Sequence, residues 1–195
     1  STGGGFDYSW SPDGKWFTLE FTGNKHDPYS DIGLVSADGK GEIANLTNSG
    51  YMSGSPRFVL DGNAILFITE RYGMRAHASW GSQNDVMLVF LNQDAYDKYS
   101  LSKEDYELRK ELEKEQEKAA DKKDGKKETA SESPVVKIDM DGLSDRIIQL
   151  PLAGSRYGNF YADGNKVYYF GRGGTKVYDL EKQKEESVAD GASMS

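Results

Sequence analysis

The chain has 195 residues, room for one ordinary domain that buries roughly 70% of the unfolded surface, and 24 Lys and Arg against 32 Asp and Glu leave a net charge of −8. That balance, with no basic stripe, argues against nucleic-acid binding, because phosphate contacts need clustered cations. The lack of cysteine excludes a disulfide framework, a thiolate zinc site and a cysteine nucleophile, and no apolar run reaches the ~18 residues of a membrane-spanning helix. The opening STGGGFDYSW has neither a basic nor an apolar leader region, so the chain reads as a soluble, mature or excised segment with no membrane insertion.

The 22 glycines, the 12% aromatic content and the recurring Asp-Gly pairs predict an all-β chain of short strands joined by tight turns. The first unit, residues 6–47, opens with SWSPDGKWFTLEF from Ser9: a short strand, an Asp-Gly turn and an aromatic-rich strand. A polar loop, HDPYSD, follows, and then a second hairpin, DIGLVSADGKGEIANLT. The second unit, residues 48–152, repeats the opening in SPRFVLDGNAILFI from Ser55, with Gly62 lying 48 residues after Gly14. After the loop ERYGMRAHASWG and the strand DVMLVFLNQ, the pattern changes to a helix from Leu101 to about Glu117. Ser102 and Asp105 form its capping box, and Leu108 and Leu112 are expected to dock its apolar face on the sheet. KAADKKDGKKETASES cannot supply such a face and reads as a solvated loop, so the insertion covers about 100–133. The unit resumes with VVKIDMDGLSDRIIQLP, read as its second hairpin.

The third unit, residues 153–190, contains GNFYADGNKVYYF and TKVYDLEKQKEESVA, and 191–195 read as the start of a further strand. Gly164 lies 102 residues after Gly62, which returns to one period once the insertion is removed. A period of about 40 to 50 residues is that of propeller blades. Residues 1–195 are therefore expected to form a single segment, a partial β-propeller of about three four-stranded blades with one helical, charged insertion. The second strand of each unit is nearly continuously apolar and the later hairpins are more polar, so burial is expected to fall from inner to outer strands.

WSPDGKW, SDIGLVSADGKGEIANLT and RFVLDGNAILFITERYGMRAHASWG resemble the propeller of bacterial tricorn-like serine proteases, and the resemblance spans nearly the whole chain. SPDG before an aromatic strand is shared by many WD-repeat-like propellers, the Tol-Pal propeller and prolyl oligopeptidase relatives included. ERYGMRAHASWG, DVMLVFLNQDAYDKY and the helix LSKEDYELRKELEKE are the more particular features. The resemblance implies a longer parent protein, with a PDZ module and a peptidase core outside this chain, and a periplasmic or envelope location. The implied partners are an oligopeptide substrate and the remaining blades and core of the parent. Propellers close with about four to eight blades, so a homodimer of three blades plus three is one way to cover the open blade edges.

A Ser/His/Asp centre needs a histidine base, and His26 and His77 are the two available. His77 lies near Ser79 and Asp85, but no Gly-x-Ser-x-Gly elbow exposes a nucleophile, so no catalytic residue is assigned. Arg71, Arg75, His77 and Trp80 either organise the long connection of the second unit or contact a peptide there, Arg by charge and Trp by stacking. Asp139, Asp141 and Asp145 lack the full calcium-loop pattern, and Met140-Asp141-Gly142 reads as a hairpin turn. His26, Asp27 and Asp31 read as a polar loop, and Gly171, Gly173 and Gly174 as a hairpin, since no helix follows to hold a phosphate. No metal or cofactor is assigned. The alternative to a peptide gate is a protein-binding scaffold like the Tol-Pal propeller, with the inserted helix as its partner surface.

Overall fold

The computed structural model describes residues 7–23, 29–73, 83–121, 135–152, 160–171 and 174–190. Three four-stranded antiparallel meanders make up the fold. The first sheet holds β1 (Tyr8–Trp10), β2 (Trp16–Phe21), β3 (Asp31–Ser36) and β4 (Ala44–Asn45), the second β5 (Ser53–Val59), β6 (Ala64–Thr69), β7 (Asp85–Phe90) and β8 (Ile147–Gln149). The third holds β9 (Phe160–Asp163), β10 (Lys166–Gly171), β11 (Gly174–Asp179) and β12 (Lys184–Asp190). Two helices, α1 (Gln93–Tyr99) and α2 (Lys103–Asp121), interrupt the second sheet between β7 and β8.

The Asp-Gly pairs do what their chemistry predicts: Gly14, Gly39, Gly62, Gly142 and Gly164 all have φ between 55° and 84°. At Gly62 space is restricted as well, because a Cβ there would sit 2.6 Å from Val136 Cγ2.

Alternation along the strands sorts side chains into layers. Ile32 and Leu34 of the first sheet pack with Ile65, Phe67, Met87 and Val89 of the second in one buried cluster. On the other face of the second sheet, Leu66, Val86, Leu88 and Phe90 pack with Val167, Tyr169, Tyr178 and Leu180 of the third. The middle sheet is thus buried on both faces, which is why β6 and β7 read as continuous apolar runs.

Three details depart from the sequence expectations. Burial does not fall steadily outward: β3 and β7, each third in its sheet, are the most buried strands of their sheets, and β2 is mostly half-buried. VVKIDMDGLSDRIIQLP is not a hairpin. Residues 135–140 form no strand; Gly142 turns the chain into a 3-10 helix at Leu143–Arg146, and β8 pairs with β7. The second hairpin of this unit is therefore β7–β8, split by the insertion, and Arg146 closes the split by donating to the carbonyls of Phe90, Asp139 and Asp141.

The third departure concerns the inserted helix. Ser102 caps α2, donating to Asp105 Oδ2 and accepting the Asp105 N–H, but Leu108 and Leu112 are 58% and 50% exposed rather than docked. The docked side is polar: Lys98 pairs with Glu113 at 2.7 Å, Arg109 with Asp94 at 2.6 Å and Lys110 with Glu181 at 3.4 Å. Preceding it, α1 is capped by Asn92, whose side chain accepts the Ala95 N–H. Tyr96 and Tyr99 of α1 lay their rings 5.7 and 5.0 Å from that of Phe90.

Candidate functional site

Meander topology sends alternate connections to opposite ends of the sheets. At one end lie the Asp-Gly turns β1–β2, β5–β6 and β9–β10, together with α1 and α2; at the other lie the connections β2–β3, β6–β7 and β10–β11. Ser53 N–H donates to Ser30 O between the first two sheets at this second end, and Glu70 N–H donates to Met52 O there within the second sheet.

Arg71, the one sequence-predicted contact residue within the described part of the chain, leaves β6 at this second end. Its guanidinium carbon lies 5.3 Å from the centroid of the Tyr72 ring, which is 55% exposed. Arg75, His77 and Trp80 lie outside the described residues, as do His26, Asp27 and Ser79. The connection is pinched at its base: a Cβ on Gly73 would lie 2.2 Å from Gln83 O, so glycine is required for this close approach. Behind Arg71 the strand ends bury Ser53, Thr69, Glu70 and Asp85. Ser53 Oγ donates to Thr69 Oγ1, Gln149 Nε2 donates to Asp85 Oδ1 at 3.1 Å, and Asp85 Oδ2 is buried without a donor.

The other acidic candidates serve structure. Asp31, 1% exposed, accepts from Asn45 Nδ2 at 2.9 Å, Thr47 Oγ1 at 2.7 Å and the Ser49 N–H at 2.9 Å. This carboxylate pins the outer edge of the first sheet to the chain that leads into the second. Asp139 accepts the Gln93 N–H at the start of α1. Among the described residues no three acidic or histidine side chains converge as metal ligands. Gly171 and Gly174 pair across the β10–β11 hairpin, as expected of that glycine-rich stretch.

A feature that sequence reasoning missed lies at the helix end. A cavity of about 120 Å³ is lined by Leu60, Asp61, Tyr99, Tyr106, Asn165 and Gln183, among others. Asn165 Oδ1 is buried there without a donor, and Gln183 Nε2 donates to Tyr99 O. Burial and the paired Tyr178 hydroxyl push the Tyr99 hydroxyl well above the usual tyrosine range, so it stays protonated. The signal that could have revealed this wall was local: Asn92 as an N-cap, with Tyr96 and Tyr99 three apart on one helical face.

No family model matches the sequence, and no curated protein matches it in sequence. Solved structures do match in fold. The chain is similar to the tricorn protease with a TM-score of 0.56 and 11% identity over 94% of its own length and 18% of that chain. It is similar to TolB from Acinetobacter baumannii with a TM-score of 0.50 and 15% identity over 95% of its length and 32% of that chain. It therefore spans about a fifth and a third, respectively, of these two proteins. Three antiparallel four-stranded sheets in this arrangement are a partial β-propeller scaffold, and its tricorn-like character is one of fold.

Proposed function

We propose that the chain is a non-catalytic propeller segment of a tricorn-like serine peptidase, serving as a docking platform or gate for extended peptides on their way to a catalytic core outside this chain. The observation that carries the reading is Arg71 beside an exposed Tyr72, at the end of the sheets opposite the Asp-Gly turns, on a scaffold with the fold of the tricorn protease. A guanidinium and an aromatic face at a loop-bearing rim suit peptide carboxylates and side chains. Arg75, His77 and Trp80 belong to the same connection and are proposed to extend the contact. A periplasmic or envelope location goes with this reading through the family resemblance; among the described residues no helix is long and apolar enough to cross a membrane.

The test is titration of labelled, unstructured oligopeptides into the purified chain. Binding without cleavage is expected, and Arg71→Ala should weaken it by roughly three- to ten-fold, about 0.7 to 1.4 kcal/mol. Cleavage by the chain itself, abolished by His77→Ala, would overturn this division of labour.

One observation favours a second reading, a protein-binding scaffold with no peptidase core. Helix α2 leaves Leu108 and Leu112 exposed while Arg109, Lys110 and Glu113 make its ion pairs to the protein. If that outward stripe recruits a protein, deletion of residues 101–133 abolishes the interaction and leaves peptide binding at the opposite end unchanged.

A further inference from the structure

The cavity at the helix end gathers much of the strained backbone of the chain. It lies between the β5–β6 turn of the second sheet, the two inserted helices, and the β9–β10 and β11–β12 turns of the third. Of the five non-glycine residues with positive φ among the described residues, three line it: Leu60 at 53°, Asp61 at 54° and Gln183 at 50°. The other Asp-Gly turns leave that conformation to glycine, and a bulky leucine adopts it only at a cost. Backbone of this kind persists where its surroundings fix it, and it concentrates at ligand sites.

The walls are mostly apolar, with Leu60, Phe90 of β7, Tyr99 of α1 and Tyr106 of α2 around the space. Much of the polar lining is already engaged: the Tyr99 hydroxyl with Tyr178, Gln183 Nε2 with Tyr99 O, and Glu181 with Lys110. Lys98 and Lys110 hold their ammonium groups 5.8 and 5.9 Å from the centroid of the Tyr106 ring. Asn165 is different, because its Oδ1 is buried with no donor. Such an acceptor costs free energy that a donor brought from outside recovers. Asp61 stands exposed at the mouth, where its carboxylate disfavours an anionic ligand.

We propose that this cavity binds a phenol, its ring held among Leu60, Phe90 and Tyr99 and its hydroxyl donating to Asn165 Oδ1. An enclosed apolar cavity of roughly 150 Å³ takes one benzene, so about 120 Å³ with an open mouth holds one six-membered ring. A phenol matches both features of the lining, a flat apolar body for the walls and one O–H donor for the orphaned acceptor, and it brings no charge to set against Asp61. The ring can arrive as a free molecule or as the tyrosine side chain of a peptide. The site lies at the end of the sheets opposite Arg71 and does not depend on the peptide-platform reading.

Titration of the ¹⁵N-labelled chain with p-cresol and with toluene, followed by NMR, tests the site, since the two probes share a shape and differ in the donor. Saturable shifts at the cavity residues are expected with p-cresol, with a Kd of about 1 mM or below, and toluene should bind about ten-fold more weakly. Asn165→Leu should erase that preference, and Ala95→Leu, which fills the cavity from α1, should abolish binding of both probes, with circular dichroism confirming that each variant is folded. Absence of saturable shifts at the cavity overturns the site. Toluene binding as tightly as p-cresol, or a preference that survives in folded Asn165→Leu, overturns the phenol assignment. N-acetyltyrosinamide binding more tightly than p-cresol assigns the ring to a tyrosine side chain, and its exclusion while p-cresol binds assigns a free phenol. Arg71→Ala should leave p-cresol binding unchanged, so failure of the peptide platform and failure of this site are read separately.

Discussion

Ser11 and Ser36 each donate a hydroxyl hydrogen to the aspartate two residues on, Asp13 and Asp38, at 2.6 and 2.9 Å. The same carboxylates accept the N–H of Lys15 and Lys40, so both turns of the first sheet rest on one local design. Asp13 does more: its other oxygen accepts the Val136 N–H at 3.0 Å and ties the turn to the chain returning from the insertion. Burial opposes ionisation of Asp13, but the bonds from Ser11, Val136 and Lys15 outweigh it and hold the carboxyl below its usual value of 3.8. A depressed folded value means that its stabilisation is complete above that usual value and is lost as the pH falls through the lower folded one. Asp13→Asn should therefore flatten the acid limb of the stability profile below pH ~4, measured by urea unfolding across pH. Asp31 gathers three hydrogen-bond donors on a buried carboxylate. Asp31→Ala should cost about 2–3 kcal/mol in urea unfolding, because it leaves three half-buried donors without their acceptor.

Helix α2 shows how an element with a readable pattern can dock by its other side. The spacing of Leu108 and Leu112 correctly marks a helix, and Ser102 correctly marks its start, but the apolar surface at β7 is already taken by α1. Phe90 is covered by Tyr96 and Tyr99 of α1, so α2 meets charges: Lys98 and Asp94 on α1, and Glu181 on the β11–β12 turn. Hydrogen bonding from Lys98, aided by Arg109, holds the Glu113 carboxyl below its usual range despite some burial. Exposed pairs of this kind contribute about 0–1 kcal/mol each and are screened by salt. Raising the salt to roughly 0.5 M should speed amide exchange in residues 103–115 and leave β6 and β7 protected. Leu112→Ala should change stability by less than about 0.5 kcal/mol, whereas a docked leucine would cost several times more.

At the scale of the whole molecule, stability is centred on the second sheet, which among the described residues is the one covered on both faces. Leu88 is fully buried between the second and third sheets, and Leu88→Ala should cost about 3–5 kcal/mol in urea unfolding. The four-stranded units and the Asp-Gly turns were legible in the sequence, because turn chemistry and strand alternation are local and repeat. Less was legible of the candidate site. Arg71 could be nominated, but its stacking on Tyr72 and the pinch at Gly73 depend on where the chain returns. Sequence alone determined the period, the turns, the alternating faces and the absence of any cysteine chemistry. Only the tertiary structure decided that β7 pairs with β8 across an insertion, that residues 135–140 form no strand and that α2 docks by its charges. These depend on which surfaces remain after the neighbours have packed, and competition for buried area is settled between segments far apart in the chain.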